Sequence, residues 1–384
     1  MTKRIYLDNA ASSPMDPEVF EEMKPFFLEH FGNPSSIHQN GRFLRNAIEQ
    51  ARRKISQILH VSPSEIYFTS GGTEADNLAI TGAVKGYGIT HIVSTGIEHH
   101  AVTHTVERLE REGIVTVTWL DVDSKGNIDL VQLRNVLSQN PRSLVTLMHA
   151  NNEIGTLYDI KAIGEICKEF DALFHSDTVQ SIGKEEIDLS QIHVHFINAS
   201  AHKFYGPKGT GFIFVRKGIK IPALIEGGSQ ERNLRAGTEN PASITGMAFA
   251  LEKCYHNLEE KTRRMWDLKN YMMERLQAEV PGVSFNGETE RGKSICTVLN
   301  TVFPFGEEDA MLLFNLDLAG IAVSGGSACN SGANMGSHVL RGIGASKEAL
   351  INSVRFSFGM ENTREEIDYV VEKLKELAPT QIVR

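Results

Sequence analysis

The chain has 384 residues, 41% of them hydrophobic and 23% charged, with a formal net charge of −9. This length allows two or three domains with sizeable cores, and the composition is that of a folded globular chain rather than a disordered or fibrous one. The acidic balance argues against a general nucleic-acid binder, MTKRIYLDNAAS at the amino terminus lacks the apolar stretch of a secretory signal, and no apolar run reaches transmembrane length, so a cytoplasmic protein with neither nucleic acid nor membrane as partner is expected.

In chain order, NGRFLRNAIEQARRKISQIL places Leu44, Ile48, Ala51, Ile55 and Ile58 at helical spacing. EIYFTS then reads as a strand, TEADNLAITGAV as a helix and HIVSTG as a strand. A helical stretch from His99 leads to the strand IVTVTWLDV. SLVTLMHA, ALFHSD, VHFINAS and GFIFV are further strands, two of them separated by the helix DIKAIGEICKEF. Strand–helix alternation of this kind predicts a largely parallel sheet covered on both faces. After GGSQERNLRAGTENP one long helical stretch is expected from about Ile244 to Val280. The remainder mixes strand and helix patterns and suits a smaller α+β domain. The expected division is a large domain over 15–260 and a small one built from 1–14 and 261–384.

Four cysteines in a chain this long are no disulfide framework. Cys167 and Cys254 fall in helical patterns and Cys296 in the strand pattern SICTVLNTVF, so all three are expected to be buried thiols packed as small hydrophobes. Cys329, in SGGSACNSGANMGS, has little apolar material around it.

Chemistry gathers at predicted strand ends. Lys203 in SAHKFYGPKG follows an apolar run, where desolvation lowers an amine's pKa and frees it for a Schiff base. A surface lysine after a strand is the plainer alternative. Asp177, after ALFHSD, is placed to pair with a pyridinium nitrogen, or simply to cap a helix. Ser70-Gly71-Gly72-Thr73 joins a strand to a helix, which suits either a phosphate cup or an ordinary glycine turn and cap. The spacing is neither a dinucleotide fingerprint nor a Walker loop. His99 follows another strand, where an imidazole can stack on a planar ring. His193 and His195 alternate on one strand face with no cysteine or carboxylate cluster nearby, so they read as structural and no metal site is expected. A phosphate cup, a stacking ring, a pyridinium partner and an amine on successive strand ends are the parts needed to hold pyridoxal phosphate.

Ordered motifs along nearly the whole chain, YLDNAAS, GNPSS, SGGTEADN, EHHAV, NNEIG, DTVQSIGK, SAHKFYGPKG, RAGTEN, SACNSG and VRFSFG, resemble cysteine desulfurases of the NifS/IscS type, in the class V aminotransferase group of fold type I. The resemblance implies an α/β fold with a mainly parallel sheet and a smaller carboxy-terminal domain. It implies pyridoxal 5′-phosphate as cofactor, with Lys203 as its Schiff-base lysine, Asp177 on the pyridine nitrogen and His99 stacked on the ring. Gly72, Thr73, Ser200 and His202 would hold the phosphate, and Thr238 would reach the phosphate of the neighbouring subunit in a homodimer. Gln180 and Asn152 would lie near the phenolic oxygen and the substrate, Arg355 would bind the carboxylate of L-cysteine, and Cys329 would be the nucleophile that takes the sulfur.

This chain has Ala201 where the family often has glycine in SGHK. It also has GGTE, EHH and SGGSAC for the family's GATE, EHK and SSGSAC, changes that keep every chemical group named above. The loop after Cys329 resembles the branch with an extended catalytic loop. The chain stops soon after KLKELAPTQIVR, short of the tail with which scaffold-dedicated members dock a cluster-assembly scaffold, and the sulfur acceptor stays open. The implied products are alanine and a persulfide, serving iron–sulfur or other thio-cofactor synthesis. The competing readings are another enzyme of this fold, such as a selenocysteine lyase, and a non-catalytic scaffold.

Overall fold

The computed structural model describes residues 4–304, 311–325 and 336–377. Among them the strands are β1 (Ile5–Tyr6), β2 (Ile66–Thr69), β3 (His91–Thr95), β4 (Thr116–Leu120), β5 (Leu144–Thr146), β6 (Leu173–Ser176), β7 (Phe196–Ser200), β8 (Gly211–Val215), β9 (Ser284–Asn286), β10 (Val298–Val302), β11 (Ile321–Ala322), β12 (Ser324–Gly325) and β13 (Ser353–Ser357). The helices are α1 (Pro17–Leu28), α2 (Gln39–Ile58), α3 (Gly72–Tyr87), α4 (His100–Arg111), α5 (Leu130–Gln139), α6 (Ile160–Glu169), α7 (Pro241–Tyr255), α8 (Leu258–Glu279), α9 (Leu312–Leu318), α10 (His338–Gly342), α11 (Lys347–Asn352) and α12 (Arg364–Leu377).

Seven strands form one sheet in the order β2-β8-β7-β6-β5-β3-β4. Only β8 runs against its neighbours; the other contacts are parallel. FINAS and GFIFV are buried at every position, as strands covered on both faces must be. One face packs on α3 and α4 through Leu78, Val102, Val106 and Leu109. The other packs on α1, α2, α6 and α7 through Val19, Ile48, Ile55, Ile166 and Leu251. A separate core joins Ile5 and Leu7 to Leu268, Met272 and Leu276 of α8, Val354 and Phe356 of β13, and Val370 and Leu374 of α12. Among the described residues no helix is long and apolar enough to cross a membrane.

Two sequence expectations are corrected here. The single helix over Ile244–Val280 is two helices, broken at His256 and at Asn257, which has φ 57°. Asparagine is among the few residues that visit the left-handed region readily, and no glycine or proline marks the break. Cys296 precedes β10 rather than lying within a strand, but it is fully buried.

Three consecutive residues, Glu231, Arg232 and Asn233, have φ of 43°, 56° and 66°. Such backbone costs about 1–2 kcal/mol per non-glycine residue and needs an anchor. Arg52 supplies it, with two 2.8 Å hydrogen bonds from its guanidinium to the two oxygens of Glu231, both side chains being buried. Glu231 also accepts from Phe68 N at 2.8 Å. Glu231→Gln leaves Arg52 with only the half-exposed Glu49 as carboxylate partner. It should cost about 3 kcal/mol in urea denaturation; wild-type stability in that variant removes the anchoring role.

Candidate active site

Because β8 is antiparallel to both β2 and β7, those two strands point the same way as β6, β5 and β3. The carboxyl ends of five strands therefore meet on one edge, the place where open α/β sheets bind ligands. A cleft of about 430 Å³ lies there, lined by residues that include Gly72, Thr73, His99, Asn152, Asp177, Gln180, Ser200, His202, Lys203 and Arg355.

After β2 the chain turns at Gly71 (φ 151°) straight into α3. A Cβ on Gly72 would lie 2.6 Å from Val179 Cγ2, so only glycine lets this turn pack against the residues after β6. The free N–H groups of the first helical turn make a cup for an anion. Glu74, in that same turn, is tied to Arg235 Nε at 2.9 Å and Ser70 N at 2.9 Å. Ser200 and His202 line the cleft with it. Burial, with Lys203 adding to it, lowers His202 to about 4, so its ring is neutral and has one N–H to donate.

Asp177 leaves β6 and accepts from Val179 N at 2.9 Å. Behind it lie two acids that the sequence reading did not single out. Asp76 is fully buried, accepts from Asn198 Nδ2 and sits 3.4 Å from His175 Nε2. Burial pushes its carboxyl well up, and Asp177 and Glu98 push it further. Glu98 rises to about 8, again mainly by burial. Both shifts favour the neutral carboxyl over a second anion beside Asp177. His99 caps α4 by accepting from Ala101 N through Nδ1 at 3.1 Å, which leaves Nε2 as the protonated nitrogen. Burial lowers its pKa, against the pull of Asp177. One ligand atom each from Asp76, His99 and Asp177 lie within 4.8 Å of one another.

Lys203 donates to Ala10 O at 2.6 Å and Ala11 O at 2.9 Å. Burial lowers its amine to about 7, with Lys184 and Arg355 adding to the effect. Gln180 donates to the same Ala10 O at 3.0 Å. Arg355, on β13, donates to Asp8 Oδ1 at 3.0 Å and Asn152 O at 2.9 Å. Its Nε and the Oδ1 of Asn152 are buried with no hydrogen-bond partner among the described residues. Buried polar atoms left open in this way fit a bound amino acid.

Some expected residues are elsewhere. Thr238 does not reach this cleft; it lines a separate recess of about 170 Å³ beside Arg235 and Thr69. Cys329 lies outside the described residues. Its flanks are described, and Gly325 and His338 both line the cleft. Cys167, Cys254 and Cys296 are buried, and burial pushes Cys254 up to about 11 and Cys296 to about 12. His195 accepts from Phe174 N through Nδ1 at 3.0 Å, a structural contact. Besides Asp76 and Glu98, the reading passed over Asp8, which stands in YLDNAAS and was assigned no role.

Residues 5–370 match the family described as aminotransferase class-V. The chain belongs to the class-V aminotransferase family. It is 44% identical over 380 residues to "Cysteine desulfurase IscS" of Clostridium botulinum, covering 98% of this chain and 95% of that protein. A solved "NifS-like protein" superposes with a TM-score of 0.90 at 36% identity, covering 98% and 99% of the two chains. "SspA in complex with cysteine" gives 0.81 at 34% identity over 93% and 99%. The fold is that of these pyridoxal-phosphate enzymes, and the cleft fits the cofactor: an anion cup at α3, a carboxylate at Asp177, a flat ring at His99 and a poorly solvated amine at Lys203.

The depressed amine sets a pH dependence. Only the neutral amine attacks an aldehyde, and the folded chain holds Lys203 half-neutral near pH 7 rather than near its ordinary 10.5. Capture of pyridoxal phosphate by apoprotein, followed by visible absorbance, should therefore rise through an apparent pKa near 7 and level off above it. A midpoint near 10 removes the burial argument.

Proposed function

We propose that this protein is a cysteine desulfurase, converting L-cysteine to L-alanine and holding the released sulfur as a persulfide on Cys329 for transfer to an acceptor in iron–sulfur or other thio-cofactor synthesis. The observation that carries this reading is the pairing of two features. One cleft joins Lys203, Asp177 and Arg355, and Gly325 and His338, described residues on either side of the segment that carries Cys329 in the sequence, line the same cleft. The relatives named cysteine desulfurase support the same reading.

Bound pyridoxal phosphate supplies an electron sink for the substrate's α-carbon. The chain supplies the rest. Arg355, held by Asp8, presents an open Nε to the substrate carboxylate, the planar recognition that guanidinium suits. Lys203, half-neutral at pH 7, would hold the cofactor and would take the substrate's α-proton. Asp177 would keep the pyridine nitrogen protonated and His99 would cover the ring. The Cys329 thiolate attacks the substrate sulfur. An S–S bond forms, the Cβ–Sγ bond breaks with its electron pair left on carbon, Cβ takes a proton, and the α-proton returns from Lys203 to Cα to give alanine.

Thr238, absent from its own chain's cleft, serves the phosphate of a second subunit in this reading, making the enzyme a homodimer. Residues 15–260 and the pair 1–14 with 261–384 are taken as its two domains.

Cys329→Ser should keep the cofactor and its spectral response to cysteine but lose sulfide and alanine release, because serine cannot accept a sulfane sulfur. Mass spectrometry after brief exposure of the wild type to cysteine should find one added sulfur on the Cys329 peptide alone. Wild-type turnover by the serine variant ends this mechanism, and activity confined to selenocysteine makes the enzyme a lyase. Arg355→Ala should weaken cysteine use by about 2–5 kcal/mol in kcat/KM while cofactor affinity holds. Unchanged kinetics with lowered thermal stability would make Arg355 a tie between β13 and Asp8 only.

A further inference from the structure

A second cavity, of about 480 Å³, lies between residues 14–17, the residues just after β7, and helices α7 and α8. Its walls are mostly apolar, formed by Met15, Pro17, Phe204, Ala250, Met265 and Met360. Three polar groups in its lining are under-used. Lys184 is 7% exposed, and the one hydrogen bond of its Nζ among the described residues is a long one, 3.4 Å to Gln180 Oε1. Thr297 is 3% exposed, and its Oγ1 has no partner among the described residues. The Tyr205 hydroxyl oxygen accepts from Met360 N at 2.8 Å, which leaves its proton to give.

An amine and two hydroxyls facing apolar walls ask for an acceptor with a short hydrocarbon body. Leaving buried donors unmet is costly, and a carboxylate, with two oxygens and about four acceptor positions, has the capacity to meet several of them. The three methionines adapt to the body of such a ligand. The charged groups at the rim limit the ligand's charge. Lys253 is taken by Asp16 at 2.6 Å and Glu18 at 2.9 Å, and Lys261 donates to Lys253 O. Glu361 adds a carboxylate to the lining, which disfavours a dianion such as phosphate.

The cavity also communicates with the active-site cleft. Gln180, which accepts from Lys184, donates to Ala10 O, and that same carbonyl accepts from Lys203. We propose that this cavity is a second binding site, for a small monocarboxylate with a short apolar body, linked to Lys203 through Lys184, Gln180 and the Ala10 carbonyl. A bound carboxylate draws Lys184 toward itself, releases Gln180 and alters the field at Lys203. The binding site stands without the functional reading above; the link to Lys203 rests on it.

The test is calorimetric titration of the holoenzyme with isovalerate, using isovaleramide as the neutral control. Saturable binding of isovalerate is expected, with the amide about tenfold weaker, as loss of one charge-assisted partner implies. Binding should persist in Arg355→Ala, fall about tenfold in Thr297→Val and vanish in Lys184→Met. The threonine variant is isosteric and keeps the test open if the lysine variant does not fold. Saturation should also shift the pH midpoint of the cofactor's visible band. Absence of saturable binding at tens of millimolar overturns the site. Binding lost in Arg355→Ala but untouched in Thr297→Val places the ligand in the substrate cleft and overturns it equally. An unmoved pH midpoint removes the link. A wild-type protein with no cofactor on Lys203 defeats the functional reading, and the titration still decides the cavity.

Discussion

Taking the Lys203 amine out of water is the condition on which the rest of the site depends. An ammonium group cannot attack a carbonyl, and a lysine in solvent is almost wholly ammonium at neutral pH. The fold depresses it by burial first and by neighbouring cations second. The amine donates to two backbone carbonyls, Ala10 and Ala11, which position it. Those carbonyls are fixed in turn by the amino-terminal strip. Asn9 donates to Ser357 O, Ala10 N to Ser357 Oγ, and Ser13 N to His202 O. The strip thus stitches the large sheet to β13, and Arg355 is fastened to the same strip through Asp8.

The same logic explains the acids. Burying Asp76 and Glu98 behind Asp177 would be ruinous if all three were ionised, since like charges in low dielectric repel strongly. Desolvation raises both carboxyls behind it, favouring their neutral forms. Asp76 has a donor in Asn198, while Glu98 accepts from Thr95 Oγ1 at 2.9 Å and Met148 N at 2.8 Å.

Much of this was legible in the sequence because it follows from local pattern. Strand–helix alternation gave the sheet, and strand-end position marked Lys203, Asp177, His99 and the Gly72–Thr73 cup, all of which meet in one cleft. What was not legible depends on distant packing. Asp8 meets Arg355 across 347 residues of chain, and no spacing rule connects them. Asp76 sits on α3 in an otherwise apolar face, where a sequence reading sees only an interrupted pattern. Lys184 gains its character from the cavity beside it. The break at Asn257 went unseen because asparagine is a weak punctuator compared with glycine or proline.

The amino-terminal strip has a consequence for biosynthesis. Residues 8–13 leave the ribosome well before their partners at 202–205 and 355–357. At about 5–20 residues per second, roughly 10–30 seconds separate Lys203 from Arg355. During that interval the sheet can assemble, but Lys203 lacks its complete enclosure and Arg355 does not yet exist. A nascent chain therefore has no finished site in which to trap a reactive aldehyde or expose a primed thiol. Chemistry becomes available only once the chain has been made through β13, which carries Arg355.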